Sequence, residues 1–203
     1  MNKSYLDYLE EALKVSEELK VPNLKITNCE LSYQSEEEAR NILNLVNGEL
    51  FDSIENNFAN LPYWGNSCLD LTAFCFMFLQ ARGYQAEMIF GNININSSPD
   101  DEFDTTKEYI IKEYNDFNYQ REQDIHAWIG LGGNIIIDYA IMDRLRKNYK
   151  YPPNLGSVVC GPSSYLEEVL KLKYIPMIVG SDFFKKTNSY DPIAGIEKFK
   201  SAI

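Results

Sequence analysis

Histidine occurs once in this sequence, at position 126. Sites that need several imidazoles are therefore excluded, and a catalytic zinc site is not expected. The four cysteines, Cys29, Cys68, Cys75 and Cys160, are too scattered for a zinc site or a disulfide framework, so free thiols are expected. Basic residues are also few. Against 30 Asp and Glu stand 19 Lys and Arg, and the resulting net charge of −11 repels phosphate backbones and anionic lipid. No nucleic-acid partner and no membrane partner is expected. The longest apolar run, Leu71 to Leu79, is too short to span a bilayer. Met1 to Val15 lack the basic start and apolar block of a secretory signal, so a cytoplasmic location is expected. Phosphate-loop, dinucleotide-fingerprint and nucleophile-elbow glycine motifs are all missing, and neither cofactor nor metal is expected.

What is present suits a sizeable core: 45% of the 203 residues are hydrophobic, enough for one globular domain. Its expected parts are a helical stretch over residues 1–60, a core over 61–140 and a C-terminal part over 141–203. Leu6, Leu9, Leu13 and Leu19 mark one face of a helix from Ser4 to Lys20, ended before Pro22. Ser35 and Glu38 form a capping-box pattern, after which Ala39, Ile42, Leu43, Val46, Leu50, Ile54 and Phe58 recur at helical intervals. Cys68 to Ala81 is apolar on nearly every side and stops at Arg82-Gly83, which describes a buried helix. Gln85 to Phe90 alternates like a strand. Residues 92–124 turn rich in Asn, Asp, Glu and Tyr, with Asp100, Asp101, Glu102 and Asp104 close together, and read as an acidic insertion carrying a helix over 106–114. Ile125 to Leu131, Gly132-Gly133-Asn134 and Ile135 to Ala140 then form a β-hairpin signal. Further on, a helix over 164–172, a strand over 174–179 and a closing helix over 192–203 are expected.

Thiol catalysis needs a stabilised thiolate, a base within reach of it and a group that orients the base. Cys68 stands where a loop enters a helix, so free backbone amides and the positive end of the helix dipole favour an anion there. The same amides can hold a tetrahedral oxyanion. Asp70, in the first turn, supports the helix but opposes a thiolate slightly. His126 is the one side chain with an ordinary pKa near neutrality. Asp138, at the end of the Ile135-Ile136-Ile137 run, is an acid among apolar neighbours and calls for a partner.

Strand parity supplies a geometric condition for joining these residues. A two-residue loop at Gly132-Gly133 would set His126 opposite Tyr139 and put Asp138 on the other face. A three-residue loop, Gly132 to Asn134, sets Trp128 opposite Asp138 and leaves His126 diagonal to it on the same face. The odd loop is therefore expected.

The block Gly65-Asn66-Ser67-Cys68-Leu69-Asp70-Leu71-Thr72-Ala73, followed by an apolar helix, Gly83 and a strand, resembles the transglutaminase-like superfamily, as does His126-Ala127-Trp128 with the later strand ending in Asp138. Two departures stand out. The Cys-to-His spacing is stretched, and Asp138-Tyr139 replaces the family's usual Asp-Pro. The resemblance implies a papain-like α+β fold, with a buried Cys-bearing helix packed on an antiparallel sheet and extra N-terminal helices. It also implies acyl transfer from an amide of a protein or peptide substrate, to water or to an amine, through Cys68, His126 and Asp138. Trp64 and Asn66 are candidates for contacting the oxyanion or substrate, and Trp128 for walling the imidazole. Two other readings remain: a catalytically silent domain of this fold that binds a protein or peptide, and a secreted or injected effector that modifies a host protein. The remaining cysteines read as small buried hydrophobes.

Overall fold

The computed structural model describes residues 3–21, 36–96, 105–116, 123–188 and 190–201. Cys29, Ser35 and the acidic cluster at 100–104 lie outside them.

The first helix, α1 (Tyr5–Glu18), opens with a capping box in which the Ser4 hydroxyl accepts from the Asp7 amide and the Asp7 carboxylate accepts from the Ser4 amide. Its buried side is Tyr5, Leu9, Ala12, Val15 and Ser16, whereas Leu6 is exposed. The face is thus rotated from the leucine stripe. Ser16 helps set that rotation, its hydroxyl donating to the Val179 carbonyl and accepting from the Val179 amide. Next come α2 (Glu36–Leu45), one wide π turn (Val46–Leu50) and α3 (Phe51–Phe58). Ile42, Val46, Leu50 and Ile54 are buried along them, strictly every fourth residue. An α-helix turns about 100° per residue, so this spacing would drift by about 40° each time. The π turn takes up the extra residue and keeps one stripe on the core.

The buried helix is α4 (Cys68–Ala81), with every residue from Leu71 to Leu79 buried. Gly83 ends it at φ +84°, placing its own amide on the Gln80 carbonyl and the Tyr84 amide on the Leu79 carbonyl. Five strands follow: β1 (Ala86–Ile95), β2 (His126–Leu131), β3 (Ile135–Asp138), β4 (Val159–Pro162) and β5 (Leu172–Val179). They make one antiparallel sheet in the order β4-β3-β2-β1-β5, so the fold is α+β. The remaining helices are α5 (Lys107–Asn115), α6 (Ile141–Tyr149), α7 (Ser163–Val169), α8 (Ser181–Asn188) and α9 (Pro192–Lys200). None of the described helices is long and apolar enough to cross a membrane.

Alternation along the strands feeds two cores. Met88, Phe90, Ala127, Ile129 and Ile137 pack with α4, while Ile89, Ile93, Trp128 and Ile136 pack with residues of α1 and α6. Both faces of the sheet are therefore covered. The hairpin β2–β3 pairs Leu131 with Ile135, Gly130 with Ile136 and Ile129 with Ile137 around the three-residue loop Gly132 to Asn134, the odd loop that parity required.

Four elements depart from the sequence reading. β1 runs five residues past Phe90, so residues 92–95 are strand rather than insertion, paired with β5 through Ile95 opposite Leu172. β4, α6 and α8 were not foreseen. Their buried faces are too short to stand out in sequence: α6, for example, buries only Ile141, Met142 and Leu145 among charged neighbours.

Gly91 marks a bulge, where pairing slips from Phe90 opposite Ile178 to Gly91 opposite Pro176. A Cβ at Gly91 would run into the Ile175 carbonyl oxygen and press on the Met177 amide. Both are backbone, so neither can rotate aside. Gly91→Ala is expected to lower the unfolding free energy by about 2 kcal/mol or more through overpacking, read as a fall in the urea midpoint. A variant as stable as the parent would contradict this account.

Candidate active site

Cys68 opens α4, the Trp64–Asn66 turn leads into it, and Ser67 holds the cap position without a side-chain capping bond. The serine hydroxyl therefore does not compete for the first-turn amides. The loop is held from α6: Asp143 Oδ2 accepts from the Trp64 amide at 3.0 Å, and Arg144 Nη2 donates to the Gly65 carbonyl at 3.0 Å. Trp64 thus has its own amide engaged and is half-buried, packed against the same core as Cys68, while Asn66 is exposed. Asp70 is exposed in the first turn.

His126 is the first residue of β2 and Asp138 the last of β3, a diagonal pair on one face as the register requires. His126 Nε2 lies 2.6 Å from Asp138 Oδ2. Of these three residues Cys68 is the most exposed, at 7% against 1% for His126 and 2% for Asp138. Its Sγ is 3.6 Å from the Ile125 carbonyl oxygen, so α4 meets the start of β2 end-on. There Cys68 also helps, after Asp138, to raise the imidazole pKa. With Nε2 committed to Asp138, Nδ1 is the nitrogen left to serve the thiol.

Electrostatics reinforce this pairing. Burial alone pulls the imidazole pKa down, but the charge and hydrogen bond of Asp138, with further help from Cys68, overcome it and raise the value to about 9. His126 is consequently an imidazolium at neutral pH. Burial, and secondarily the charge of Asp138, pushes the Cys75 thiol well above its ordinary range. Cys75 is therefore inert, in keeping with its position inside α4.

Asp138 accepts more than the histidine. Its Oδ1 takes the amides of Ala140 and Ile141 at 3.0 and 3.1 Å, capping α6, and its Oδ2 also takes the Tyr174 hydroxyl at 2.9 Å. One carboxylate thus joins the imidazole to the helix that holds the Cys68 loop. Trp128 stacks beside the imidazole, centroids 5.9 Å apart at 24°, and its indole N–H donates to the Tyr5 hydroxyl at 3.3 Å.

Sequence reasoning missed Tyr174, Asp143 and Arg144. An acid two and three residues ahead of a helix start is a capping signal, so the link from Asp138 to α6 was available once α6 was recognised. Nothing in the local pattern of β5 singles out Tyr174. Among the described residues, no group of three or more His, Cys, Asp or Glu side chains could hold a metal ion. Comparisons with protein-family models, with curated proteins and with solved structures find no match to this chain.

Proposed function

We propose that the chain is a transglutaminase-like, papain-like cysteine enzyme that transfers an acyl group from an amide of a protein or peptide. The observation that carries this reading is the imidazole bound to Asp138, with the Cys68 sulfur at the N-terminus of a buried helix where it bears on the imidazole pKa. In the cycle, the Cys68 thiolate, its proton held on His126, attacks the amide carbonyl. First-turn amides of α4 donate hydrogen bonds to the oxyanion. The imidazolium of His126 gives its proton to the leaving amine, producing a thioester. Water or an acceptor amine then attacks the thioester, passing a proton to His126 and expelling the Cys68 thiolate, which restores the starting thiolate–imidazolium pair. Asp138 keeps the Nε2 proton in place throughout, so that Nδ1 faces the sulfur.

The near-complete burial of His126, and the 7% exposure of Cys68, favour a second reading in which the fold is kept for binding a protein or peptide. A thiol-directed electrophile separates the two. Under the first reading Cys68 is labelled in the native chain faster than any other cysteine, that label is lost in Cys68→Ala, and the buried Cys75 stays unmodified until the protein is unfolded. Fast labelling that persists in Cys68→Ala, or a Cys68 that reacts only on unfolding, would favour the binder. Peptides cleaved or deamidated by wild type and not by Cys68→Ala would identify the substrate.

A further inference from the structure

We infer that Tyr174 is a positioning residue of this site, its hydroxyl fixing the Asp138 carboxylate in the orientation that receives His126 Nε2. The inference rests on the cysteine-enzyme reading for its purpose, but its geometry stands by itself. A carboxylate turns broadly about its last torsion. The Ala140 and Ile141 amides anchor Oδ1, yet they leave Oδ2 free to swing about that anchor. The tyrosine supplies the missing restraint, sharing Oδ2 with the imidazole at 2.9 Å.

The reach is long. Tyr174 lies on edge strand β5 and Asp138 on β3, with β1 and β2 between them. By register the diagonal joining them crosses β1 at Gly91, the residue opposite His126, which has no side chain to obstruct it. The tyrosine ring packs edge-on against Trp128, centroids 5.0 Å apart at 65°, and lies 6.4 Å from the imidazole. Burial, then the charge of Asp138, pushes the Tyr174 hydroxyl well above the usual tyrosine range, so it stays protonated and donates. Among the titratable groups near the imidazole are Asp138 from β3, Tyr174 from β5 and Cys68 from α4, with Tyr5 of α1 behind Tyr174.

Sharing Oδ2 has a chemical consequence. A carboxylate that already accepts from a tyrosine presents less charge to the imidazolium. His126 is then oriented without becoming too weak an acid to protonate a leaving amine. Loss of the hydroxyl should make His126 more basic.

The single histidine makes this measurable by NMR titration of the imidazole in the full chain. Tyr174→Phe removes one oxygen and keeps the ring. It is expected to raise the His126 midpoint by about half a unit. In an Asp138→Asn background the same change should move nothing, because the shared acceptor is gone. An unmoved midpoint in Tyr174→Phe, or an equal displacement in both backgrounds, would overturn the inference. Thiol labelling keeps the two claims apart. A Cys68 that resists the electrophile while Tyr174→Phe still moves His126 defeats the enzyme reading and leaves the role of Tyr174 standing. A reactive Cys68 with an unmoved His126 does the reverse.

Discussion

Asp138→Asn should lower Cys68-dependent turnover on the order of 10³- to 10⁴-fold while leaving the fold in place, by enforcing the wrong histidine tautomer. Ala140 and Ile141 both donate to one oxygen of residue 138, so an asparagine must keep its carbonyl there. Its NH2 group then takes the position of Oδ2, facing His126 Nε2. A donor at that position turns Nε2 into the acceptor and drives the imidazole proton to Nδ1, where it confronts the sulfur. The neutral ring can then no longer take a proton from the thiol, and the resting imidazolium loses its counter-charge. Single-turnover rates on a cleaved or deamidated peptide, with imidazole nitrogen shifts to report the tautomer, check the prediction. An Asp138→Asn variant that turns over within tenfold of wild type would remove Asp138 from the mechanism. Substitution at Asp143 or Arg144, by contrast, would loosen the loop before Cys68 without altering the tautomer.

How far the sequence anticipated this arrangement depended on whether a signal was local. α4 was readable to the residue because an unbroken apolar run between a cap and Gly83 has few alternatives. The pairing of His126 with Asp138 was readable because parity and loop length fix a hairpin register. The buried side of α1 was misplaced, since the leucine stripe ignores Tyr5 and Ser16, whose burial depends on Trp128 and Val179 far along the chain. The extension of β1 through Asn92 and Asn94 was lost to composition: an asparagine-rich stretch looks like loop, yet Asn92 is buried with its side-chain amide on the Thr105 carbonyl. Tyr174 was invisible for a different reason. Its role exists only once β5 is laid beside β1, after most of the chain has been placed.

Removing the carboxylate altogether tests the same centre through stability. The folded-state pKa of His126 is raised, from about 6.5 to about 9, so its protonated form is favoured by folding. That contribution is fully present below pH 6.5, declines as pH rises through 9, and amounts to about 3 kcal/mol for a displacement of this size. Asp138→Ala forfeits it and also leaves the Ala140 and Ile141 amides and the Tyr174 hydroxyl without their acceptor. A buried pair broken from one side costs about 3–5 kcal/mol, and that loss is expected at pH 6. By pH 9.5 most of the wild-type histidine is neutral too, so the deficit should shrink towards the 1–3 kcal/mol or so due to unsatisfied donors. Asp138→Asn, which keeps an acceptor for the two amides, should lose chiefly the pH-dependent part. Urea unfolding of the three proteins between pH 6 and 9.5 resolves the two contributions. Stability curves for wild type and Asp138→Ala that run parallel across this range would mean that the imidazolium and the carboxylate do not form the coupled pair on which the proposed chemistry depends.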